Sequence, residues 1–394
     1  MRLLILSFYY EPDLSAGSFR TTALVKALRE RAPSGTQIDV VTTLPNRYRT
    51  FLRSAAELET GAGCEIRRIP LPEHQSDIRG QSRAFVHFAR AALAYVAERE
   101  YDVVFATSSR LMTAALGAWI ARRKRAWLYL DIRDIFVDTI GELLPPFASA
   151  AARSAFSRVE SWTMRRADRI NLVSPGFGEY FHSRYGGCSF AWFTNGIDDE
   201  FLAAAPPSAA RTPRDGMATV LYAGNIGEGQ GLHLILPSLA VALRGRARFL
   251  VIGDGGRRKA LEEALARAGA DNVELRAPVP RDELIRAYRA ADVLLLHLGR
   301  HVAFEKVLPS KVFEYAALGK PLLAGVAGYA ARFIREEIDN AAVFPPCDTA
   351  AAVRAFESLT LADCQRPAFV AKYRRTCIAQ AMANDVLALA SGGT

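Results

Sequence analysis

The chain has 394 residues, and at about 100–200 residues per domain this implies two domains, each burying its own core. A 50% share of hydrophobic residues with 23% charged excludes a disordered or fibrous chain. The formal charge of +9 favours partners or substrates that carry phosphate, whether nucleotide, nucleic acid or anionic lipid, without choosing among them.

The five cysteines, Cys64, Cys188, Cys347, Cys364 and Cys377, are scattered, with no Cys-x-x-Cys spacing to suggest zinc or redox work. A reducing compartment, and so a cytoplasmic location, is expected. The apolar run that opens the chain ends at Glu11-Pro12 without a small-residue cleavage site and reads as a buried strand. No window approaches the ~20 apolar residues of a membrane span. The longest candidate, Ala114 to Ala121, stops at Arg122-Arg123-Lys124-Arg125, so a soluble or peripheral protein is expected.

In chain order, Leu3–Phe8 reads as the first strand, followed by a loop that carries Gly17 and Ser18 before a helix over Thr21–Arg31. Gly17 and Ser18 at a helix start can offer N–H groups and a hydroxyl to an anion, with Arg20 adding charge; a plain N-cap is the alternative. A strand at Ile38–Thr43 leads to the basic, aromatic run Asn46 to Arg53, either a solvated loop or a surface for anionic lipid. Ala84–Glu98 has helical spacing, and Val103–Thr107 and Ala126–Leu130 read as strands. Asp131, Arg133, Asp134 and Asp138 then crowd the carboxyl end of a strand, which is costly unless they meet substrate, water or one another. Without a third ligand, a metal site there is not expected. The helix Ala151–Arg165, the strand Arg169–Val173 and the turn Thr194 to Asp198 complete the first domain, read as residues 1–202.

Residues 203–216, with three prolines and no periodicity, have linker composition. A second α/β rhythm occupies residues 217–375, with strands at Val220–Ala223, Phe249–Gly253, Val273–Arg276, Val293–Leu296 and Pro321–Ala324. Helices at Leu232–Leu243 and Arg257–Ala268 separate some of them, and a terminal helix over 376–394 is expected to pack back on the first domain. Strand–helix alternation with continuously apolar strands implies parallel sheets covered on both faces. Ligands of such sheets sit at the carboxyl ends of the strands. Two loops there are glycine-rich: one begins Gly224-Asn225 and the other is Gly253-Asp254-Gly255-Gly256. Neither has dinucleotide spacing.

The segment from Lys306 to Pro321 carries the densest signal. Pro309 suits a first helical position, Ser310 and Lys311 the first turn, and Gly319 with Pro321 the stop. Lys311 and the free N–H groups of that turn would meet a diphosphate, and Glu314 would accept from ribose hydroxyls; a solvated Lys–Glu helix pair is the alternative.

Taken in order, the Gly17 loop, Asn195-Gly196-Ile197-Asp198, Tyr222-Ala223-Gly224-Asn225, Val251-Ile252-Gly253-Asp254-Gly255 and Pro309-Ser310-Lys311-Val312-Phe313-Glu314 resemble family 4 glycosyltransferases of GT-B fold, the type that builds bacterial O-antigen, lipopolysaccharide or capsule. The resemblance covers nearly the whole chain. It implies two Rossmann-like domains with parallel sheets facing a deep interdomain cleft. The activity it implies is retaining and metal-independent transfer from a nucleotide-diphosphate sugar, UDP being the expected nucleotide, to a lipid-linked or saccharide acceptor, without cofactor. Donor contacts fall by resemblance on Gly17, Ser18, Gly224, Asn225, Gly253, Asp254, Ser310, Lys311 and Glu314, with Val279 near the base, and catalytic roles on Arg133, Asp134 and Lys311. Peripheral contact with the inner face of an anionic membrane is part of the same expectation.

Two departures stand out. The family's earlier glutamate, separated from the later one by seven residues, would by counting back from Glu314 fall at Lys306, with Glu305 one residue out of register; and the usual basic residues of the glycine loop are Asn225 and Gln230. Two other readings fit the same residues: a nucleotide-sugar epimerase of this fold and a non-catalytic nucleotide-sugar-binding scaffold. Nucleic-acid binding has no zinc finger, helix-turn-helix or RNA-binding motif behind it.

Overall fold

The computed structural model describes residues 1–13, 15–46, 54–72, 78–108, 111–138, 146–202 and 216–392. Beyond Asn46 the basic, aromatic run lies outside these residues, as do residues 203–215 of the expected linker. The chain divides into two compact units, Met1–Asn195 with Arg375–Thr394, and Gly196–Arg374.

The first unit is built on strands β1 (Arg2–Leu6), β2 (Gln37–Thr43), β3 (Leu58–Gly61), β4 (Cys64–Ile69), β5 (Val103–Thr107), β6 (Trp127–Ile132), β7 (Arg169–Leu172) and β8 (Phe190–Ala191). Their order is β3-β4-β2-β1-β5-β6-β7-β8, parallel except for the β3–β4 pair. Ile5 stands opposite Val40 on one side and Phe105 on the other. All five β5 residues are buried, as a central strand covered on both faces requires. The second unit holds β9 (Ala218–Ala223), β10 (Ala247–Ile252), β11 (Val273–Arg276), β12 (Val293–His297), β13 (Leu322–Gly325) and β14 (Ala341–Phe344), in the order β11-β10-β9-β12-β13-β14. Each sheet reverses its winding once, between β1 and β5 and between β9 and β12. In doubly wound sheets that switch point is where ligands bind.

Two helix starts differ from the sequence reading. The first helix spans Ala16–Arg31, because the Ser15 hydroxyl accepts the Ser18 N–H at 3.2 Å and caps it. Gly17 and Ser18 therefore lie inside the first turn. The later helix begins at Lys311 rather than Pro309, since Pro309 and Ser310 form a preceding turn in which Pro309 O accepts Val312 N–H at 3.1 Å. Gly319, at φ +72°, ends it as read.

The boundaries also shift. Ile197 donates its N–H to Tyr373 O at 2.8 Å, and Phe201 packs beside Tyr288, so residues 196–202 belong to the second unit. The terminal helix Arg375–Ala390 belongs to the first: Met382, Ala383 and Val386 join Leu24, Leu28 and Tyr129 in one buried cluster. Burying the larger of these side chains contributes about 1.5–3 kcal/mol each. Asp385 fixes the helix from outside, accepting from Arg169 at 2.7 Å and from Tyr129 at 3.0 Å.

Candidate active site

In the second unit the candidate residues gather at the carboxyl edge of the sheet. Gly224 N–H bonds Ile252 O and Ile226 N–H bonds Asp254 O, each at 2.8 Å, so the loops after β9 and β10 run backbone against backbone. This approach demands glycine: Gly253 sits at φ +158°, and a Cβ there would stand 1.8 Å from Gly224 O. Gly224, at φ +144°, leaves its open side to the Lys311 chain. A Cβ on it would lie 2.5 Å from Lys311 Cε and 3.0 Å from Nζ.

The Lys311 ammonium is thereby held at the end of β9, beside the switch point. No carboxylate among the described residues makes ion-pair contact with it. Burial pushes the Lys311 ammonium below the usual lysine range, with Glu314 pulling it up and Arg281 adding to the drop. Glu314, one turn along, is 9% exposed. Ser310 is half-buried and makes no side-chain capping bond. Val279 lies in the loop after β11, partly buried against the core of the second unit.

The departures at Asn225 and Gln230 acquire a structural account. Asn225 Nδ2 donates to Gln230 Oε1 at 2.8 Å, and Gly227 N–H donates to the same oxygen at 3.2 Å, so the two side chains shape the loop from within. Asp254 Oδ1 accepts Gly255 N–H at 2.8 Å and does the same for its own turn. Glu305 is exposed, with its backbone pressed against Gly328, and Lys306 is half-buried.

Sequence reasoning missed two residues here. His297, at the end of β12, is buried and shares Nδ1 with Gln230 O at 2.7 Å, while Nε2 accepts Cys347 N–H at 3.0 Å. The Nε2 acceptor role fixes the neutral tautomer with the proton on Nδ1. Burial lowers its pKa to about 4 despite the Gln230 bond. Arg281 pairs with Asp198 and Glu200 and lies 5.1 Å over the Phe201 ring. Burial works to weaken this guanidinium's hold on its proton, but Asp198 and Glu314 more than restore it. A histidine closing an apolar strand, and an arginine opening a helix, were the available signals.

In the first unit the acidic cluster separates into two parts. Asp131 is taken up structurally: Arg20 grips it with Nε at 2.8 Å and Nη2 at 2.9 Å, and Asn171 adds a bond at 2.7 Å. Arg20 also donates to Thr194 O and Phe193 O, both at 2.7 Å. The expectation that Arg20 lends charge to an anion is thus corrected, because its donors are spent inside the fold. Arg133 and Asp134 are not spent in this way. Arg133 N–H donates to Ser108 Oγ at 3.0 Å, yet its buried Nε has no partner among the described residues, and neither do Asp134 Oδ1 and Ser18 Oγ.

Gly17 opens the space in which this arginine lies; a Cβ there would meet Arg133 Nη1 at 2.3 Å. Burial lowers the Arg133 pKa to about 10, with Asp131 opposing. Burial also raises the Asp134 carboxyl to about 6, against the pull of Arg133. Buried polar atoms without partners cost about 1–3 kcal/mol each, so a group that hydrogen-bonds to these three atoms would bind favourably here. No group of three or more His, Cys, Asp or Glu side chains among the described residues is arranged to hold a metal. Nor is any helix among them long and apolar enough to cross a membrane.

Two family descriptions match the chain: "Glycosyl transferase 4-like domain" over residues 17–188 and "Glycosyl transferases group 1" over residues 208–381. The chain belongs to the glycosyltransferases of GT-B fold. A 2-deoxystreptamine glucosyltransferase of Streptomyces kanamyceticus is 28% identical over 182 residues, 43% of this chain and 46% of that relative, so the match spans about half of its length. The Escherichia coli protein WcaI, described as a colanic acid biosynthesis glycosyl transferase, is 24% identical over 81% of this chain and 82% of its own. Among solved structures, sucrose-phosphate synthase from Thermosynechococcus elongatus superposes with a TM-score of 0.67 at 17% identity, covering 99% of this chain and 96% of the other.

Proposed function

We propose that the chain is a retaining, metal-independent glycosyltransferase. It takes a sugar from a nucleotide-diphosphate donor, UDP being the first nucleotide to test, and delivers it to a saccharide or lipid-linked acceptor. The proposed setting is bacterial surface polysaccharide synthesis, which the likeness to WcaI supports, and the proposed location is the inner face of the cytoplasmic membrane.

The carrying observation is the Lys311 ammonium, partly stripped of water and, among the described residues, without a contacting carboxylate, held over Gly224 at the switch point of the second sheet. A diphosphate there supplies the missing charge, and its departure from the sugar is favoured because Lys311 is already in place when negative charge builds on the leaving oxygen. Glu314 takes the ribose hydroxyls, Ser310 and the backbone of the Gly224 and Gly253 loops serve the phosphates, and Val279 borders the base. In the first unit, Ser18, Arg133 and Asp134 serve the sugar and the acceptor. Arg133 supplies donors to hydroxyl or anionic oxygens, and Asp134 as a carboxylate accepts from a sugar hydroxyl.

A thermal-shift screen over nucleotide sugars tests this reading, since a ligand bound only by the native protein raises its melting temperature. One nucleotide-sugar group is expected to raise Tm. Incubated alone, that compound should be recovered with slow hydrolysis at most, and conversion to its epimer would contradict the transferase reading.

A further inference from the structure

At the other edge of the first sheet, where β6 and β7 begin, three exposed arginines line one open surface pocket. Arg122, Arg125 and Arg166 line a volume of about 340 Å³ together with Trp127, Asp168 and a wall of alanines. Asp168 is the one acid in that lining, and its Oδ2 already accepts Leu128 N–H at 2.7 Å. Among the described residues no carboxylate forms an ion pair with any of the three guanidinium groups. Their neighbour Lys124 does have one, with Glu100 at 3.6 Å. Arg166 lies 4.9 Å over the Trp162 ring, which restrains its guanidinium. Trp127, in the same lining, is 46% exposed.

Arg122 sits in the last turn of the helix Leu111–Lys124, where cations are favoured by the helix dipole, and needs no further reason. Arg125 does. The bond from Ala126 N–H to Ala121 O at 3.0 Å closes the helix with Arg125 in the left-handed region, at φ +54°. That position is normally glycine's, and a side chain there is strained. The backbone alone would be better served by glycine, so the strain is tolerated for what the guanidinium does.

We infer that this pocket is a second anion site, separate from the glycine loops, that takes a phosphate group. Guanidinium forks match phosphate oxygens in pairs, and an indole in the lining suits the apolar remainder of a phosphorylated molecule. The group can come from a soluble phosphorylated compound or from a lipid headgroup, and two probes separate the sources. The site does not depend on the proposed transferase activity.

The test uses the full chain carrying Lys311→Ala, so that the proposed donor site does not contribute. Pyrophosphate binding is followed by calorimetry, and binding to phosphatidylglycerol vesicles by co-sedimentation. Adding Arg122→Ala with Arg166→Ala is expected to weaken at least one of the two by tenfold or more. Arg125→Gly is expected to weaken the same probe while raising Tm, a combination that general damage to the fold cannot produce. Pyrophosphate sensitivity identifies a soluble ligand, and sensitivity confined to vesicles identifies a lipid headgroup. If the variants bind both probes as the Lys311→Ala parent does, or if Arg125→Gly lowers Tm, the inference is overturned.

Discussion

Asp134 and His297 are both displaced by burial, in opposite directions, and so make opposite demands on pH. An aspartate has an unfolded pKa of ~3.9, whereas the native Asp134 carboxyl titrates at about 6. Between those values the native state binds more protons than the unfolded one, so this group's contribution to stability falls as pH rises and is level above that window. Replacing it with asparagine is expected to raise stability at pH 7 by on the order of 2 kcal/mol, discounted for partial exposure, while turnover drops about a hundredfold. Urea denaturation and initial rates on one preparation check both halves. His297 works the other way: with a native pKa of about 4, it binds fewer protons folded than unfolded below its unfolded value of ~6.5. Stability contributed by the neutral ring is therefore lost as pH falls from about 6.5 toward 4. His297→Ala removes the partner of Cys347 N–H and Gln230 O, and an expected cost of roughly 2–4 kcal/mol at pH 7 would be accompanied by a loss of that acid sensitivity. Melting curves at pH 5 and pH 7 measure it.

At the scale of elements, apparently equal glycines are expected to behave unequally. Gly253→Ala drives a methyl against the Gly224 carbonyl at an unfavourable φ and should cost roughly 3 kcal/mol or more. Gly17→Ala meets the far end of the Arg133 side chain, which can move, so stability should change by less than about 1 kcal/mol while activity falls with the displaced guanidinium. Circular dichroism melts and rates on the two variants separate packing from function. The same contrast explains what the sequence made legible. Val103–Thr107 was read to the residue because a five-residue run rich in β-branched and aromatic side chains is too short for a helix, and Val273–Arg276 because its apolar and charged residues alternate. Leu58–Gly61 is exposed throughout and Phe190–Ala191 has two residues, so neither offers a period to detect. Lys311, Glu314 and the glycine loops announced themselves through spacing. Arg20 did not reveal its role, because its partner Asp131 lies 111 residues away and pairing over that distance leaves no local pattern.

For the whole molecule, the helix Arg375–Ala390 follows the second unit in sequence yet completes the first. A chain ending at Arg374 is expected to lose the first unit's cooperative melting and keep the second's, because Met382, Val386 and the Asp385 bonds all serve residues of the first. Differential scanning calorimetry would show one transition where the full chain shows both contributions. The two-unit plan was readable from the repeated strand–helix rhythm. The exact boundary was not, since Ile197 and Phe201 look like the end of one domain in sequence and are bound to Tyr373 and Tyr288 in space.

The most direct measurement is a calorimetric titration of nucleoside diphosphate into the native protein and into Lys311→Ala, with folding of the variant verified by its melting curve. The account predicts saturable one-to-one binding that weakens by about a hundredfold, roughly 2.7 kcal/mol, when the ammonium is removed. An unchanged dissociation constant in a folded Lys311→Ala protein would contradict it.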